Sequence, residues 1–279
     1  MKVCAVINAH DASRTIIDTI DSIFCYMTKN VLVVVDGANK KFDSIKLPVC
    51  KLQGFRHDFR KSPYRNVALG LKTAYEIWPE SDWFCYAEYD CLWGSDQILK
   101  NLSTAREQGV WMLGNDGHVE NREIPLVDAL IKAKLSRGYY LLGACQFFSK
   151  RYMDELNEIS FFEKFIALTN HFPDGYMPGY SGYDISEHLY PTLARQFGGS
   201  VGVFATYDRK GKWHGHHKVF PIRFRPELDP ETENFPEASI MHPLKDYNHP
   251  IRVYHRHKRK KLKNGDKSIP GTSDKRIKI

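Results

Sequence analysis

The segment Trp83-Phe84-Cys85-Tyr86-Ala87-Glu88-Tyr89-Asp90 decides the fold of this chain. Its first five residues are apolar or aromatic without alternating polar positions, the pattern of a strand covered on both faces of a sheet. Because residues i and i+2 of an extended chain point to the same side, Glu88 and Asp90 are predicted to converge while Tyr89 faces away. Paired carboxylates at the end of a central strand suit Mg²⁺ or Mn²⁺ that carries a diphosphate. The alternative is an acidic turn between a strand and a helix.

A strand, a helix and a second strand precede this segment. Residues 2–8 are predicted as a short buried strand, and Ile16, Ile20 and Ile23 keep the spacing of a helix. The β-branched run at residues 31–35 predicts a second strand, which closes on the turn pair Asp36-Gly37. This βαβ unit implies two parallel strands joined by a right-handed crossover. Asp36 is therefore predicted at the carboxyl end of a strand, beside the end of the first.

The later elements follow from the same signals. Helices are predicted to start at Ser62-Pro63 and after Ser95-Asp96, where the residue types favour a helix N-terminus. The chain beyond them predicts strands at residues 110–113, 143–148 and 201–205, helices at 150–157 and 184–196, and irregular structure at 115–125. The pattern predicts an α/β fold of a single domain, with a mostly parallel central sheet flanked by helices.

The positive charge of the chain is concentrated at its C-terminus. The whole chain carries a formal net charge of +7. Residues 251–279 hold 11 Lys and Arg against 2 Asp and Glu, so the other 250 residues carry a net charge of −2. The sequence predicts a folded domain at residues 1–250 and a basic, disordered tail at 251–279. Such a tail predicts peripheral contact with an anionic membrane, or else a solubilising role.

The cysteines and the apolar segments indicate the cellular compartment of the protein. The six cysteines include no C-x-x-C pair and lie mostly in apolar segments, so neither a disulfide framework nor a zinc site is indicated. The chain has no apolar run of about 18 residues, and its first residues are too strand-like for a signal peptide. A cytoplasmic protein is predicted, with the membrane contact at the inner face.

Three features of the first 95 residues together resemble glycosyltransferases of the GT-A fold, especially the family-2-like group. These are the strand-end Asp36, the helix start Ser62-Pro63-Tyr64-Arg65-Asn66, and the strand end Glu88-Tyr89-Asp90. The likeness extends more loosely to about residue 245. It departs from the family's pattern in two places, because Asp36 is followed by Gly37 instead of a second Asp, and Glu88 stands where the D-x-D motif has its first Asp.

The resemblance implies a metal-dependent hexosyltransferase. It would move a sugar from a nucleotide diphosphate donor to a glycan or glycolipid acceptor, in the synthesis of a surface polysaccharide or glycolipid. The implied site residues are Asp184 as catalytic base, Asn8, Asp36, Arg65 and Glu88 as nucleotide contacts, and Asp90 and His242 as ligands of Mn²⁺ or Mg²⁺. Each has a structural alternative. His242 is also compatible with a packed interior histidine, and Asp184 with Glu187 forms the pattern of a capping box.

Two rival functions remain open. A sugar-phosphate nucleotidyltransferase of related fold is expected to carry a Gly-rich phosphate loop after the first strand, and residues 8–13 contain no glycine. A nucleic-acid-binding protein is expected to carry basic residues and stacking aromatics on its folded body, and here the body is net acidic. No nucleic-acid partner is therefore expected.

Overall fold

The computed structural model describes residues 1–9, 14–36, 49–55, 62–120, 138–171, 185–203, 222–224 and 239–264. These residues form ten strands and seven helices. The strands are β1 (Val3–Ala9), β2 (Val31–Val35), β3 (Cys50–Gln53), β4 (Trp83–Glu88), β5 (Leu92–Trp93), β6 (Val110–Glu120), β7 (Gly138–Ser149), β8 (Ser200–Val203), β9 (Ile222–Phe224) and β10 (Ile240–His242). The helices are α1 (Arg14–Tyr26), α2 (Ser62–Ile77), α3 (Gln97–Glu107), α4 (Lys150–Glu158), α5 (Phe161–Asn170), α6 (Ile185–Gln196) and α7 (Pro250–Lys263).

Seven strands form the central sheet, in the order β3-β2-β1-β4-β7-β6-β8. Within this sheet the described pairings are parallel except those of β7, which runs antiparallel to both β4 and β6. A small second sheet has the order β5-β10-β9. The predicted α/β class, with a mostly parallel central sheet and flanking helices, is confirmed.

Helices cover both faces of the sheet. Alternate residues of β1 enter two different cores: Cys4 and Val6 pack with α2, α4, α5 and α6, whereas Ala5 and Ile7 pack with α1 and α3. This double burial explains why β1, β2 and β4 read as continuous apolar runs. Gly70 lets α2 approach the sheet closely, because a Cβ there would lie 2.5 Å from Cγ1 of Val6.

The strand order of the central sheet reverses at β1. From β1 it runs outward to β2 and β3, then returns to place β4 on the other side of β1. In open α/β sheets, ligands bind beyond the carboxyl ends of the strands at such a reversal of strand order. The carboxyl ends of β1 and β4 are therefore the expected place for a ligand.

Some predicted boundaries are wrong. β6 continues to Glu120 through residues predicted to be irregular, because the long strand β7 pairs with it along this length. β7 itself begins at Gly138, five residues before the predicted start. Helix α5 and the small sheet were not predicted.

Residues 251–263 of the predicted disordered tail belong to helix α7, so the prediction of disorder is wrong for them. One side of this helix is buried, through Ile251, Arg252, His255 and Arg259. The charge is tolerated because Asp18 of α1, itself buried, accepts hydrogen bonds from Arg252 and Arg259 and lies 3.5 Å from Arg256. The predicted division at residue 250 thus falls at the first residue of a helix that packs on the domain.

The described helices include none with the length and apolar character that a membrane span requires.

Candidate active site

Three side chains meet beyond the carboxyl end of β4. Nε2 of His242 lies 3.0 Å from Oε2 of Glu88 and 3.1 Å from Oδ1 of Asp90. The spacing of Glu88 and Asp90 predicted this convergence, and the structure adds the histidine on which they converge. Asp90 and His242 are buried, whereas the side chain of Glu88 is 43% exposed. The cluster therefore has a closed inner part and one carboxylate that faces outward.

Backbone pairing brings His242 to this place from a distance of more than 150 residues. Strand β10 runs antiparallel to β5, with Met241 opposite Leu92 and Ile240 opposite Trp93. The pairing continues past His242, because the Leu244 amide donates to the Asp90 carbonyl at 3.0 Å. The segment that supplies His242 is thus fastened to the residues that follow the carboxylates.

The electrostatics of the cluster favour an ion pair. Burial opposes charge on His242, but the hydrogen bonds and charges of Asp90 and Glu88 outweigh it and raise its pKa from 6.5 to about 10. Burial also opposes ionisation of Asp90, yet the hydrogen bond and charge of His242 hold the pKa of Asp90 below its ordinary value. Without another cation, a protonated imidazole therefore balances the carboxylates.

Two members of this cluster, Asp90 and His242, form together with Cys91 a group that could hold a metal ion. One ligand atom from each of Asp90, Cys91 and His242 lies within 4.8 Å of the others. Carboxylate oxygen suits Mg²⁺ and Mn²⁺, and imidazole nitrogen is a ligand of first-row transition metals. Burial raises the pKa of the Cys91 thiol well above its ordinary value, which leaves the thiol protonated. An ion that binds here would replace the imidazole proton, because a ligating histidine is neutral.

A second group of polar residues lies at the ends of β1 and β2. Asn8 of β1 is opposite Glu88 in the register of β1 and β4. The Asp36 amide donates to the Ala9 carbonyl at 3.1 Å, which ties the end of β2 to the end of β1. Asn8, Asp36, Glu88 and Asp90 therefore all follow or end strands at one edge of the sheet.

Helix α2 contributes Arg65 and Asn66 to this edge. Asn66 is buried; its Nδ2 donates to Oδ1 of Asp36 at 2.5 Å, and its Oδ1 accepts from the Phe55 amide at 2.6 Å. The guanidinium of Arg65 lies over the Phe55 ring, 3.6 Å from its centre, and Arg65 also donates to Asn170. Asn66 thus orients the carboxylate of Asp36, and Arg65 and Phe55 form a stacked pair.

The predicted base, Asp184, lies outside the described residues. Two described carboxylates are alternatives to it: Oε1 of Glu187 accepts from the Gly143 amide at 2.9 Å, and Oδ1 of Asp246 accepts from the Asn248 amide at 2.8 Å. Glu187 is therefore engaged with β7. The roles of Asp184 and of the other predicted site residues stay predictions.

Sequence reasoning missed two residues of this region. Cys91 directly follows Asp90, but a single cysteine without a ligand partner in the sequence gives no metal signal. Asn66 is part of the helix start that carries the family resemblance, but its sequence context predicts no role for it, and its hydrogen bond to Asp36 spans 30 residues. Such contacts between distant elements leave no periodic pattern in the sequence.

No protein-family model matches the sequence, and none of the curated proteins matches it. Among solved structures, the chain is similar to a glycosyltransferase involved in the glycosylation of the major capsid of PBCV-1, with 9% identity and a TM-score of 0.47, over 93% of this chain and 100% of that one. It is also similar to 4-diphosphocytidyl-2C-methyl-D-erythritol synthase from Anaerococcus prevotii, with 13% identity and a TM-score of 0.40, over 76% and 91% of the two chains. A third similar structure is residues 1–349 of S. aureus TarS, with 15% identity and a TM-score of 0.35, over 60% and 55%.

Proposed function

We propose that this protein is a metal-dependent glycosyltransferase that moves a hexose from a nucleotide diphosphate donor to an acceptor hydroxyl. The observation that carries the proposal is the meeting of Asp90, His242 and Glu88 beyond β4, at the reversal of strand order. A divalent ion bound there would offset the negative charge that develops on the departing diphosphate. The fold alone does not choose this activity, since one fold serves many functions.

Each residue of the site has a role in this proposal. Asp90 and His242 hold the Mn²⁺ or Mg²⁺ ion, and Glu88, which is partly exposed, contacts the donor beside it. Asp36, oriented by Asn66, accepts a hydrogen bond from the base or ribose of the nucleotide. Asn8, on the strand between β2 and β4, contacts the nucleotide between Asp36 and Glu88. Arg65 contributes positive charge at the start of α2, where a cation opposes the helix dipole and is best placed beside a phosphate.

Asp184 is proposed as the general base that removes the proton from the acceptor hydroxyl. A carboxylate near the N-terminus of α6 is kept ionised by the helix dipole, so it is ready to accept a proton. Asp184→Asn separates this role from helix capping, because Asn caps nearly as well as Asp but cannot take the proton. The variant is expected to keep its melting temperature and donor binding while transfer falls on the order of a hundredfold or more. Near-normal transfer by this variant would mean that Asp184 is only a helix cap and that Glu187 or Asp246 accepts the proton.

The acceptor is proposed to be a glycan or glycolipid of a cell-surface polymer, reached from the cytoplasmic side of a membrane. The outward side of α7 supports this proposal. It exposes Tyr254, Leu262 and the lysines that flank Leu262, and the helix contains seven Lys and Arg residues without a single acid. Lys and Arg near an anionic lipid surface each contribute about 1 kcal/mol to binding.

The rival nucleotidyltransferase would bind a nucleoside triphosphate and a sugar phosphate. A thermal-shift panel of nucleoside diphosphates and triphosphates, each with and without Mn²⁺, separates the two. We expect stabilisation by one nucleoside diphosphate that depends on Mn²⁺, since a ligand that binds only the folded state raises its stability. Asp90→Asn should remove the shift, and Asp96→Asn, at the exposed start of α3, should retain it. An equal ligand-induced shift in the Asp90 variant would refute a metal site at this position.

A further inference from the structure

One buried arginine of α7 reaches both chain segments of the candidate metal site. Nε of Arg252 donates to the Leu244 carbonyl at 2.7 Å. Its Nη2 donates to the Asp90 carbonyl at 3.0 Å and lies 3.3 Å from the Cys91 carbonyl. Leu244 is two residues after His242. A single guanidinium therefore links the backbone that carries Asp90 to the backbone that carries His242.

Helix α1 supports this arginine from behind. Nη1 of Arg252 donates to Oδ2 of Asp18 at 2.8 Å, which balances the buried charge. The hydroxyl of Thr19 lies 2.7 Å from the Tyr89 carbonyl and 2.6 Å from the Cys91 carbonyl. The same turn of α1 thus holds both the guanidinium and the loop after β4.

Arginine suits this position for a physical reason. Its donors are fixed in a planar fork, so one side chain can hold several carbonyls in a set geometry, whereas lysine offers a single point charge on a flexible stem. Burying a charge costs free energy even when it is paired. If Arg252 served only to attach α7, an apolar residue would pack there without that cost.

We propose that Arg252 is a positioning residue of the metal site, which sets the separation of the Asp90 carboxylate and the His242 imidazole by holding the Asp90, Cys91 and Leu244 carbonyls. The inference rests on the proposed metal-dependent function. Groups that orient metal ligands from behind typically change metal affinity by about 10- to 100-fold when they are removed.

The test compares Arg252→Gln and Arg252→Lys with the control Arg256→Gln in the full chain. Arg256 lies on the same helix and near the same Asp18, but it donates to the Tyr247 carbonyl and stacks on the Tyr247 ring. Arg252→Lys keeps the charge beside Asp18 and serves if the Gln variant does not fold. Mn²⁺ affinity is measured by titration without donor, and the exchange rate of the Leu244 amide, which donates to Asp90, is measured by hydrogen exchange.

Both Arg252 variants are expected to bind Mn²⁺ about 10- to 100-fold more weakly and to exchange the Leu244 amide faster, with Arg256→Gln near the unaltered protein in both measurements. Mn²⁺ affinity within twofold of the unaltered protein in a folded Arg252 variant would overturn the inference. An equal loss in Arg256→Gln would also overturn it, since the effect would then belong to the attachment of α7. Absence of Mn²⁺ binding by the unaltered protein would instead refute the proposed metal site. An unchanged exchange rate of the Leu244 amide in the Arg252 variants would independently show that Arg252 does not hold the backbone of Asp90 to the backbone that carries His242.

Discussion

Removal of the Asp18 carboxylate should destabilise the whole domain. Asp18 is 3% exposed, and it is the acid that faces the fully buried Arg252 and the 3% exposed Arg259. Asp18→Ala would leave both guanidinium groups buried without this anion, and breaking a buried ion pair in this way typically costs about 3–5 kcal/mol. A loss of this size is a large part of the roughly 5–15 kcal/mol that stabilises an ordinary domain. At about 2–4 °C for each kcal/mol, the melting temperature should fall on the order of 10 °C.

The measurement is thermal and urea unfolding of Asp18→Ala beside Asp21→Ala, a partly exposed acid on the same helix. Only the first variant should lose stability to this extent. The double variant Asp18→Ala with Arg252→Met should regain part of the loss, because replacing both members of a buried pair by apolar groups is often neutral. A melting temperature for Asp18→Ala close to that of Asp21→Ala would refute the packing of α7 on α1.

Three further outcomes are expected. Burial, with the charges of Lys258, Arg259 and Arg252, lowers the pKa of His255 from 6.5 to about 3. Below pH 6.5 the unfolded chain therefore binds a proton at His255 and the folded chain does not, so this group should lower the free energy of unfolding by about 2 kcal/mol between pH 7.5 and pH 5. Urea unfolding of His255→Gln at the two pH values should lack that part of the decrease. Asn66→Ala removes an amide that bonds both Asp36 and the Phe55 backbone, so unfolding titrations should show a loss of about 1–3 kcal/mol, and nucleotide affinity should fall with it; full nucleotide affinity would contradict the role of Asn66. The exposed lysines Lys260, Lys261 and Lys263 of α7 can be replaced together by Gln. The free energy of binding to anionic vesicles should then weaken by roughly 3 kcal/mol, and unchanged binding would refute the membrane contact.

These lysine substitutions are a cleaner test of membrane contact than deletion of the C-terminus. Deletion after Pro250 would remove Arg252 and Arg259 together with the outward lysines. Loss of membrane binding would then be mixed with loss of stability. The buried and the exposed sides of α7 therefore have to be altered separately.

The elements that sequence predicted well carry their signal locally. Strands β1, β2 and β4 are buried on both faces, so their apolar runs are continuous, and the helical spacing of Ile16, Ile20 and Ile23 marks the side of α1 that packs on the sheet. The spacing of Glu88 and Asp90 depends only on the geometry of an extended chain. The convergence of these two side chains could therefore be predicted without a structure.

The remaining features depend on contacts between distant residues. The composition of residues 250–263 indicates disorder because the sequence does not show that Asp18, more than 230 residues away, pairs with the buried Arg252 and Arg259. Strand β10 has three residues, too few for a periodic pattern, and it forms because β5 and β9 pair with it. The position of His242 beside Asp90 follows from that pairing.

The most direct test of the proposed glycosyltransferase is the release of nucleoside diphosphate from a panel of nucleotide sugars, measured with and without Mn²⁺. We expect one donor to be hydrolysed slowly by the unaltered protein, only with the metal, and not by Asp90→Asn. Hydrolysis of no donor, or formation of pyrophosphate from a nucleoside triphosphate and a sugar phosphate, would contradict the proposed function.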